Sequence, residues 1–298
     1  MKYENRLIAF IDILGFKEIV RSSEKDSSKI EFLYSVLDYL KSWEIPENWN
    51  LQLVEIEEDA QKRGVENFDI RGKTNTTAFS DSIVVSVKVE NNVNEMTSTL
   101  IVNLAYIGAI LFEKGILFRG GITIGNLIHN EKGTVFGQGL IEAYQLETNS
   151  AKFPRIILSN KLIQKLNYPL ETKRNRYPYH QYLERYEDGC VGFHQMIYFQ
   201  VIESWTEMTN EKLKESLNII RKVIIKGLDT SFENPRVYEK YIWLKTQYNN
   251  LIILSDFDFK TKTHENVKLK IRELNKGMNG HNVHYKYTDD FYESTKKK

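Results

Sequence analysis

Hydrophobic and polar residues alternate near the start of the chain in a pattern that predicts a buried strand over residues 5–14. In "LIAFIDIL", one face carries Ile8, Phe10 and Asp12, and the other face carries apolar residues only. Gly15 then breaks the pattern. Because both faces are otherwise apolar, we expect Asp12 to be at least partly buried. A buried carboxylate needs an ionic partner, a proton or a metal ion.

Helical and strand periodicities follow in a regular order. Residues 30–40 carry apolar side chains at helical spacing, and residues 68–89 are typical of a β-hairpin whose turn carries Asp81. An apolar helix near 97–113 precedes the strand "ILFRGGITIGNL", the helix "GLIEAYQLETNSA" and the strand "RIILS". The order β-α-β-β-α-β-α-β predicts an α+β fold, an antiparallel sheet with helices packed on one face as in ferredoxin-like folds.

The second half of the chain changes character. A helix and a hairpin around Asp188-Gly189 are predicted within residues 160–205. An amphipathic helix then carries an apolar stripe and is predicted to end at Gly227. A further helix is predicted to begin at Asn234-Pro235, where the proline favours a first turn.

These patterns predict two domains. The first covers residues 1–205 and contains a polar, acidic insertion at about residues 44–68. The second covers residues 206–298 and forms a C-terminal helical extension followed by a polar, lysine-rich tail.

Composition narrows the class of protein. The chain has 298 residues, 41% hydrophobic and 27% charged, and a formal net charge of +1, so no overall field favours nucleic acid or an anionic membrane. Cys190 is the only cysteine, which excludes an intramolecular disulfide. The longest apolar run, residues 100–112, is too short to span a bilayer. We therefore expect a soluble cytoplasmic protein without a nucleic-acid or membrane partner.

Two carboxylates are candidates for chemistry. Asp12 lies in an apolar strand, whereas Asp81 alone is more typical of a turn residue that caps its own backbone. The two would converge if their strands were neighbours. Carboxylates beside a triphosphate are a common way to hold Mg²⁺ or Mn²⁺, with substrate oxygens completing the coordination shell.

Four segments, in order over roughly residues 5–160, resemble the class III nucleotidyl cyclases, the adenylate and guanylate cyclase family. "FIDILGF" resembles the family's "F-x-D-I-x-G-F" signature, and "FSDSIVV" resembles its second metal-carboxylate hairpin. "LFRGGITIGNL" is similar to its "R-x-G-I-x-x-G" strand, and "TVFGQGLIEAYQLETNSAKFPRIILS" to its "V-N-x-A-x-R-L-E…I-x-V-S" segment. The resemblance implies the ferredoxin-like catalytic core of that family.

The resemblance also implies a two-metal site. Asp12 and Asp81, with the backbone carbonyl of Ile13, would bind two Mn²⁺ or Mg²⁺ ions over a nucleoside triphosphate. Gly15 and Phe16 begin the first helix, whose N–H groups would bind the β- and γ-phosphates. The family's sites lie between two antiparallel subunits, so a homodimer is implied.

The departures from the family pattern lie in the half of the site that reads the base. Thr77 stands where purine cyclases place a lysine, and Thr134 stands where they place an aspartate or a similar residue. Ile141 and Gln145 replace the family's asparagine and transition-state arginine. Two explanations follow: a catalytically silent cyclase-homology module that acts by binding or dimerisation, or an enzyme with a different substrate.

A different substrate is favoured by a second resemblance. "A-Y-x-L-E", ending in Glu147, resembles the Pycsar pyrimidine cyclases of bacterial anti-phage defence, which carry a C-terminal helical extension. This implies conversion of CTP or UTP to a cyclic nucleotide that a separate effector protein reads. A purine cyclase with rearranged base contacts is the alternative enzyme.

The changed positions need replacements. Arg119 is the first candidate to offset charge on the α-phosphate, although an ordinary strand-end salt bridge is an equal alternative. Lys152 and Arg155 are weaker candidates for that role. Thr77, Thr134 and Tyr144 are candidates for base contacts, because hydroxyl groups can donate to or accept from a pyrimidine edge.

Overall fold

A computed structural model describes residues 2–42, 44, 49, 74–89, 92–168, 179–199 and 211–255. The described strands are β1 (Glu4–Leu14), β2 (Thr74–Phe79), β3 (Ser82–Lys88), β4 (Leu117–His129), β5 (Val135–Phe136), β6 (Arg155–Leu158), β7 (Glu184–Arg185) and β8 (Val191–His194). The described helices are α1 (Phe16–Ser23), α2 (Ser27–Ser42), α3 (Val93–Glu113), α4 (Gln138–Ser150), α5 (Asn160–Leu166), α6 (Tyr179–Tyr182), α7 (Glu211–Thr230) and α8 (Pro235–Ser255).

Strand β1 lies at the centre of the sheet. The strand order is β2-β3-β1-β4-β6-β8-β7, with β5 paired to β4 outside this row. Among the first four strands each hydrogen-bonded pair is antiparallel, and these strands are joined in the order β-α-β-β-α-β. This order of neighbours is the ferredoxin-like arrangement, so the predicted α+β class and topology are confirmed.

Two details of the prediction are wrong. The sheet is mixed rather than antiparallel, because β6 pairs parallel to β4 through Gly121 and Ile157. Helix α4 lies between these two strands in the chain, and such a crossover returns the chain in the same direction. The helices also cover both faces of the sheet rather than one.

Each face of β1 packs against a different helix. Ile8 and Phe10 form a buried cluster with Val84, Leu127 and Ala143 of α4. On the opposite face, the side chains of Ile11 and Ile13 share a small apolar cavity with residues of α2 and α3, namely Leu40, Leu104 and Ile107. The alternating pattern of β1 therefore supplies two layers of core, and Asp12 continues the face on which α4 packs.

Helix α3 is the apolar helix predicted over residues 97–113. By length and composition it could cross a membrane, but 72% of its most apolar window is buried inside the protein. Leu104, Ala105, Ala109 and Ile110 are almost fully enclosed. This is the environment of a core helix.

The chain divides into two compact units, of which the first contains the sheet and the second contains α7 and α8. The boundary predicted near residue 205, most of the insertion predicted at residues 44–68 and the tail from residue 256 lie outside the described residues. The assignment of two domains, 1–205 and 206–298, therefore stays a prediction.

Within the second unit, the predicted helix pair is present, and the apolar stripe of α7 is buried at Leu213, Leu217, Ile220 and Ile224. The predicted end at Gly227 is wrong, since α7 continues to Thr230. A Cβ atom at Gly227 would clash with the ring of Tyr241 on α8. Gly227 is therefore a packing position, at which the absence of a side chain admits the tyrosine ring.

Candidate active site

The two predicted carboxylates lie at the same end of the sheet. Asp12 stands opposite Ser82 of β3 and Arg119 of β4. Asp81 lies in the turn between β2 and β3, and its carbonyl oxygen accepts a 2.8 Å hydrogen bond from the N–H of Ile13. This bond ties the turn to the end of β1, beside Asp12.

Arg119 lies between two carboxylates. Its Nε–H donates to Oδ2 of Asp12 at 3.2 Å, and the same Nε lies 2.7 Å from Oε1 of Glu147. Nη1 makes a long contact of 3.5 Å with the carbonyl oxygen of Ala151. The side chains of Arg119 and Asp12 keep 23% and 21% of their surface exposed, so this pair faces solvent, whereas Glu147 keeps only 4%.

Glu147 is a site residue to which the sequence reasoning gave no role. Gly139, Ala143 and Glu147 form the buried stripe of α4 at four-residue spacing, and this spacing was the available signal. Oε2 accepts a hydrogen bond from the hydroxyl of Thr148, while Oε1 contacts Arg119 without forming a hydrogen bond to it.

The electrostatics of Glu147 report on its neighbours. Burial raises the pKa of this carboxyl, the Arg119 guanidinium opposes the rise, and the charges of Asp12 and Asp81 add to it. The negative charges of both Asp12 and Asp81 therefore act on Glu147 at this end of the sheet.

The predicted phosphate-binding residues form the start of α1. Gly15 adopts a left-handed conformation (φ 74°), which glycine permits without steric cost. It supplies no side-chain cap to the helix. Its carbonyl oxygen accepts from the N–H groups of Glu18 and Ile19. In the part of the chain that the structure describes, the N–H groups of Phe16 and Lys17 have no acceptor.

The predicted base-contacting residues are arranged differently. The Thr77 hydroxyl lies 2.9 Å from Nε2 of His129 and donates to the carbonyl oxygen of Gly133 at 3.2 Å. Thr134, next in the chain, is exposed, and its N–H donates to the side chain of Asn130. The structure therefore brings Thr77 and the Thr134 loop together, with the Thr77 hydroxyl already engaged.

Tyr144 lies on α4, three residues before Glu147. Its ring packs edge-on against Phe10 with the ring centroids 5.4 Å apart, and half of the residue remains exposed. Phe10 stands two residues before Asp12 on the same face of β1, so Tyr144 lies above the sheet on the side of the carboxylates. Arg155 is not available to this site, because it is buried and ion-paired with Asp188.

His129 organises the Thr77 side of the sheet. Burial and the positive charge of Arg6 lower its pKa to about 4, so the ring is neutral near pH 7. Its Nδ1 lies 2.8 Å from the Ser86 hydroxyl, which accepts from Nε of Arg6. One consistent assignment runs through the ring: Ser86 donates to Nδ1, and Nε2–H donates to Thr77.

A divalent cation fits the carboxylates if a substrate supplies the remaining oxygens. Among the residues that the structure describes, no group of three or more His, Cys, Asp or Glu side chains could hold a metal by itself. Mg²⁺ is commonly bound through one or two carboxylates together with substrate phosphates, which matches Asp12 and Asp81. The predicted role of the Ile13 carbonyl as a further ligand stays a prediction.

Comparison with known proteins found no matching family model and no matching curated protein. Several solved structures are similar over about two thirds of the chain. The adenylyl cyclase CyaB from P. aeruginosa is 12% identical, with a TM-score of 0.38, over 64% of this chain and 92% of that one. The guanylate cyclase domain of RhGC from Catenaria anguillulae, in complex with GTP, is 16% identical with a TM-score of 0.36, over 64% and 95%. A bacterial light-regulated adenylyl cyclase is 12% identical with a TM-score of 0.37, over 69% and 100%. At these identities and TM-scores, the similarities assign no activity to this chain.

Proposed function

We propose that this chain is a metal-dependent nucleotidyl cyclase that converts CTP or UTP to the 3′,5′-cyclic monophosphate and pyrophosphate. The observation that carries the proposal is the junction of β1 with the β2–β3 turn. The Ile13–Asp81 hydrogen bond holds the Asp81 turn at the end of β1, beside Asp12 and Arg119. Two carboxylates and an arginine at one open strand end suit a triphosphate with its cations.

The reaction joins the 3′-oxygen to the α-phosphorus. The bond from that phosphorus to the pyrophosphate oxygen breaks, and the proton of the 3′-hydroxyl is released to solvent. Divalent ions held by Asp12 and Asp81 would supply a lowered pKa for that hydroxyl and charge neutralisation on the phosphates.

Arg119 would stabilise the charge that develops on the α-phosphate. Arginine stays protonated and presents several donors in a planar arrangement, which suits phosphate oxygens. Arg119 keeps 23% of its side chain exposed next to Asp12, so its guanidinium can reach a ligand. The N–H groups of Phe16 and Lys17, after Gly15, would bind the β- and γ-phosphates.

Thr77, Thr134 and Tyr144 are proposed to select the base. The half-exposed Tyr144 ring offers a stacking or edge contact, and Thr134 is exposed in its loop. In the conformation described, Thr77 would contact a base only by exchanging its bond to Gly133 or His129. A site shared between two subunits of a homodimer would bring such residues of one protomer to the carboxylates of the other.

The biological role proposed is the synthesis of a signal in anti-phage defence, in the cytoplasm, read by a separate effector protein. It rests on the resemblance of the "A-Y-x-L-E" segment to the pyrimidine cyclases. The two alternatives are a purine cyclase and a catalytically silent module that acts by binding or dimerisation. Each predicts a different result in an assay of product formation.

The test is product formation from each of ATP, GTP, CTP and UTP with Mn²⁺, resolved by mass spectrometry. The proposal expects one cyclic pyrimidine nucleotide, lost in Asp12→Asn and in Asp81→Asn. Asp38→Asn is the matched control, since Asp38 is an exposed residue of α2. A cyclic purine product would support the purine cyclase, and no product from an intact dimer would favour the silent module.

The base assignment has its own test. Thr77→Lys places at this position the residue that the purine cyclases carry, and it should shift the ratio of pyrimidine to purine turnover. Thr76→Lys, on the same strand, is the control. An unchanged preference in Thr77→Lys would show that Thr77 does not read the base.

A further inference from the structure

We infer that Glu147 is a positioning residue for Arg119, which moves from Asp12 toward Glu147 when a divalent cation binds at Asp12. The inference rests on the proposed function, because it assumes that Asp12 is a cation ligand. Glu147 lies outside the predicted metal and substrate contacts, and the movement of Arg119 gives its buried carboxylate on α4 a role.

Arg119 lies between the carboxylates of Asp12 and Glu147. Its Nε donates to Asp12 at 3.2 Å and lies 2.7 Å from Oε1 of Glu147. Among the described residues, these are its acidic partners. The single N–H of Nε is therefore directed at Asp12 while a second carboxylate oxygen lies at contact distance.

The positive charge of Arg119 conflicts with a divalent cation bound at Asp12. A divalent cation on Asp12 would face the guanidinium on the same carboxylate, and like charges at this distance repel. The guanidinium cannot relieve the conflict by losing its charge, because arginine is not deprotonated in proteins. The guanidinium must therefore turn away from Asp12 or weaken cation binding.

Glu147 offers Arg119 an alternative hydrogen-bond acceptor. Its Oε1 is buried and accepts no hydrogen bond from any residue that the structure describes, although Nε of Arg119 lies beside it. A buried acceptor without a hydrogen bond is unfavourable, so it gains by taking the N–H that Asp12 gives up. A small rotation of the guanidinium thus gives Glu147 a hydrogen bond, moves the positive charge of Arg119 off Asp12 and keeps Arg119 in the site.

The inference predicts opposite effects of two substitutions on cation affinity. Glu147→Gln removes the alternative anionic partner, so Arg119 stays on Asp12 and Mn²⁺ binds about tenfold more weakly. Arg119→Gln removes the competitor, so Mn²⁺ binds more tightly than in the wild type. In the double variant, Glu147→Gln has no further effect, because there is no guanidinium left to reposition.

The measurement is Mn²⁺ binding to the full-length protein without nucleotide, followed by electron paramagnetic resonance of the free ion. Glu142→Gln is the matched control: it lies on the same helix, and its carboxylate contacts Thr123 and Lys161 instead. It should bind Mn²⁺ like the wild type. Glu147→Asp, which keeps the charge, should recover part of the affinity lost in Glu147→Gln.

Four outcomes would overturn the inference. If Asp12→Asn abolishes Mn²⁺ binding but Glu147→Gln and Arg119→Gln leave it unchanged, the exchange is wrong and the proposed function stands. If Glu147→Gln weakens binding equally with and without Arg119, Glu147 acts on the cation directly. If the wild type binds Mn²⁺ only together with a 3′-deoxy pyrimidine triphosphate, which cannot cyclise, the inference fails and the proposed function stands. If that triphosphate also gives no Mn²⁺ binding beyond that of the free nucleotide, the metal-dependent function fails together with the inference. Should Glu147→Gln not fold, the Arg119→Gln affinity still decides.

Discussion

The backbone N–H of Ile13 donates a hydrogen bond to the carbonyl oxygen of Asp81, with 2.8 Å between nitrogen and oxygen. The bond joins residues that are 68 positions apart in the numbering of the chain (81 − 13). It extends the β1–β3 ladder, whose last pair is Asp12 with Ser82, into the turn. The geometry of the two carboxylates therefore depends on the conformation of a two-residue turn.

Ser80 gives the first prediction, because it adopts a left-handed backbone (φ 54°) in that turn. Ser80→Val places a β-branched residue there and should lower the free energy of unfolding by about 1–2 kcal/mol. By displacing Asp81, it should also reduce cyclic nucleotide formation about tenfold or more. Ser80→Gly tolerates the same backbone and should retain turnover. Equal activity of the two variants would contradict this role of the turn.

Arg119 gives the second prediction. Arg119→Lys keeps a positive charge but loses the planar arrangement of donors, so kcat should fall about 10²-fold with a smaller change in KM. Steady-state kinetics with the preferred triphosphate measure both constants. Arg185→Lys, at an exposed hairpin position, is the control and should leave kcat unchanged. A wild-type kcat in Arg119→Lys would remove Arg119 from the reaction.

His129 gives a prediction on pH dependence. Burial, with the charge of Arg6, lowers its pKa to about 4 in the native protein, against about 6.5 in the unfolded chain. Between these values the unfolded state binds a proton that the native state does not. The free energy of unfolding should therefore fall as pH falls from about 6.5 to about 4, by roughly 3 kcal/mol in total.

The measurement is urea unfolding at several pH values between 7 and 4. His129→Asn should reduce the slope against pH in this window by up to about 1.4 kcal/mol per pH unit. Some slope should remain, because burial also lowers the pKa of His194, to about 3. An identical slope in wild type and His129→Asn would show that His129 does not carry this dependence.

Gly227 gives a prediction on packing in the second unit. Alanine usually stabilises a helix interior relative to glycine by up to about 1 kcal/mol. Here its Cβ would meet the Tyr241 ring, so Gly227→Ala should instead destabilise the protein by about 1–3 kcal/mol. Urea unfolding measures the change. Lys226→Ala, an exposed neighbour on α7, is the control and should change stability by less than about 0.5 kcal/mol.

The local elements could be predicted because each carries its own signal. The two-residue alternation and Gly15 predicted β1, and Asp81 in a polar turn between two β-rich runs predicted the hairpin. The predicted end of α7 is wrong because Gly227 does not end the helix. It makes room for the Tyr241 ring of another helix. A glycine has the same local signature in both cases.

The sequence by itself determined where the strands and helices lie, and it placed Asp12 on a buried strand. It also set the ferredoxin-like order, since short connections and alternating elements leave few topologies. Only the tertiary structure decided which side chains meet. Arg119 contacts Asp12 and Glu147. His129 contacts Thr77, 52 positions away in the chain, and Ser86, 43 positions away. Periodicity fixes the face on which a side chain lies, whereas register and helix docking fix which distant charge or hydroxyl it meets there.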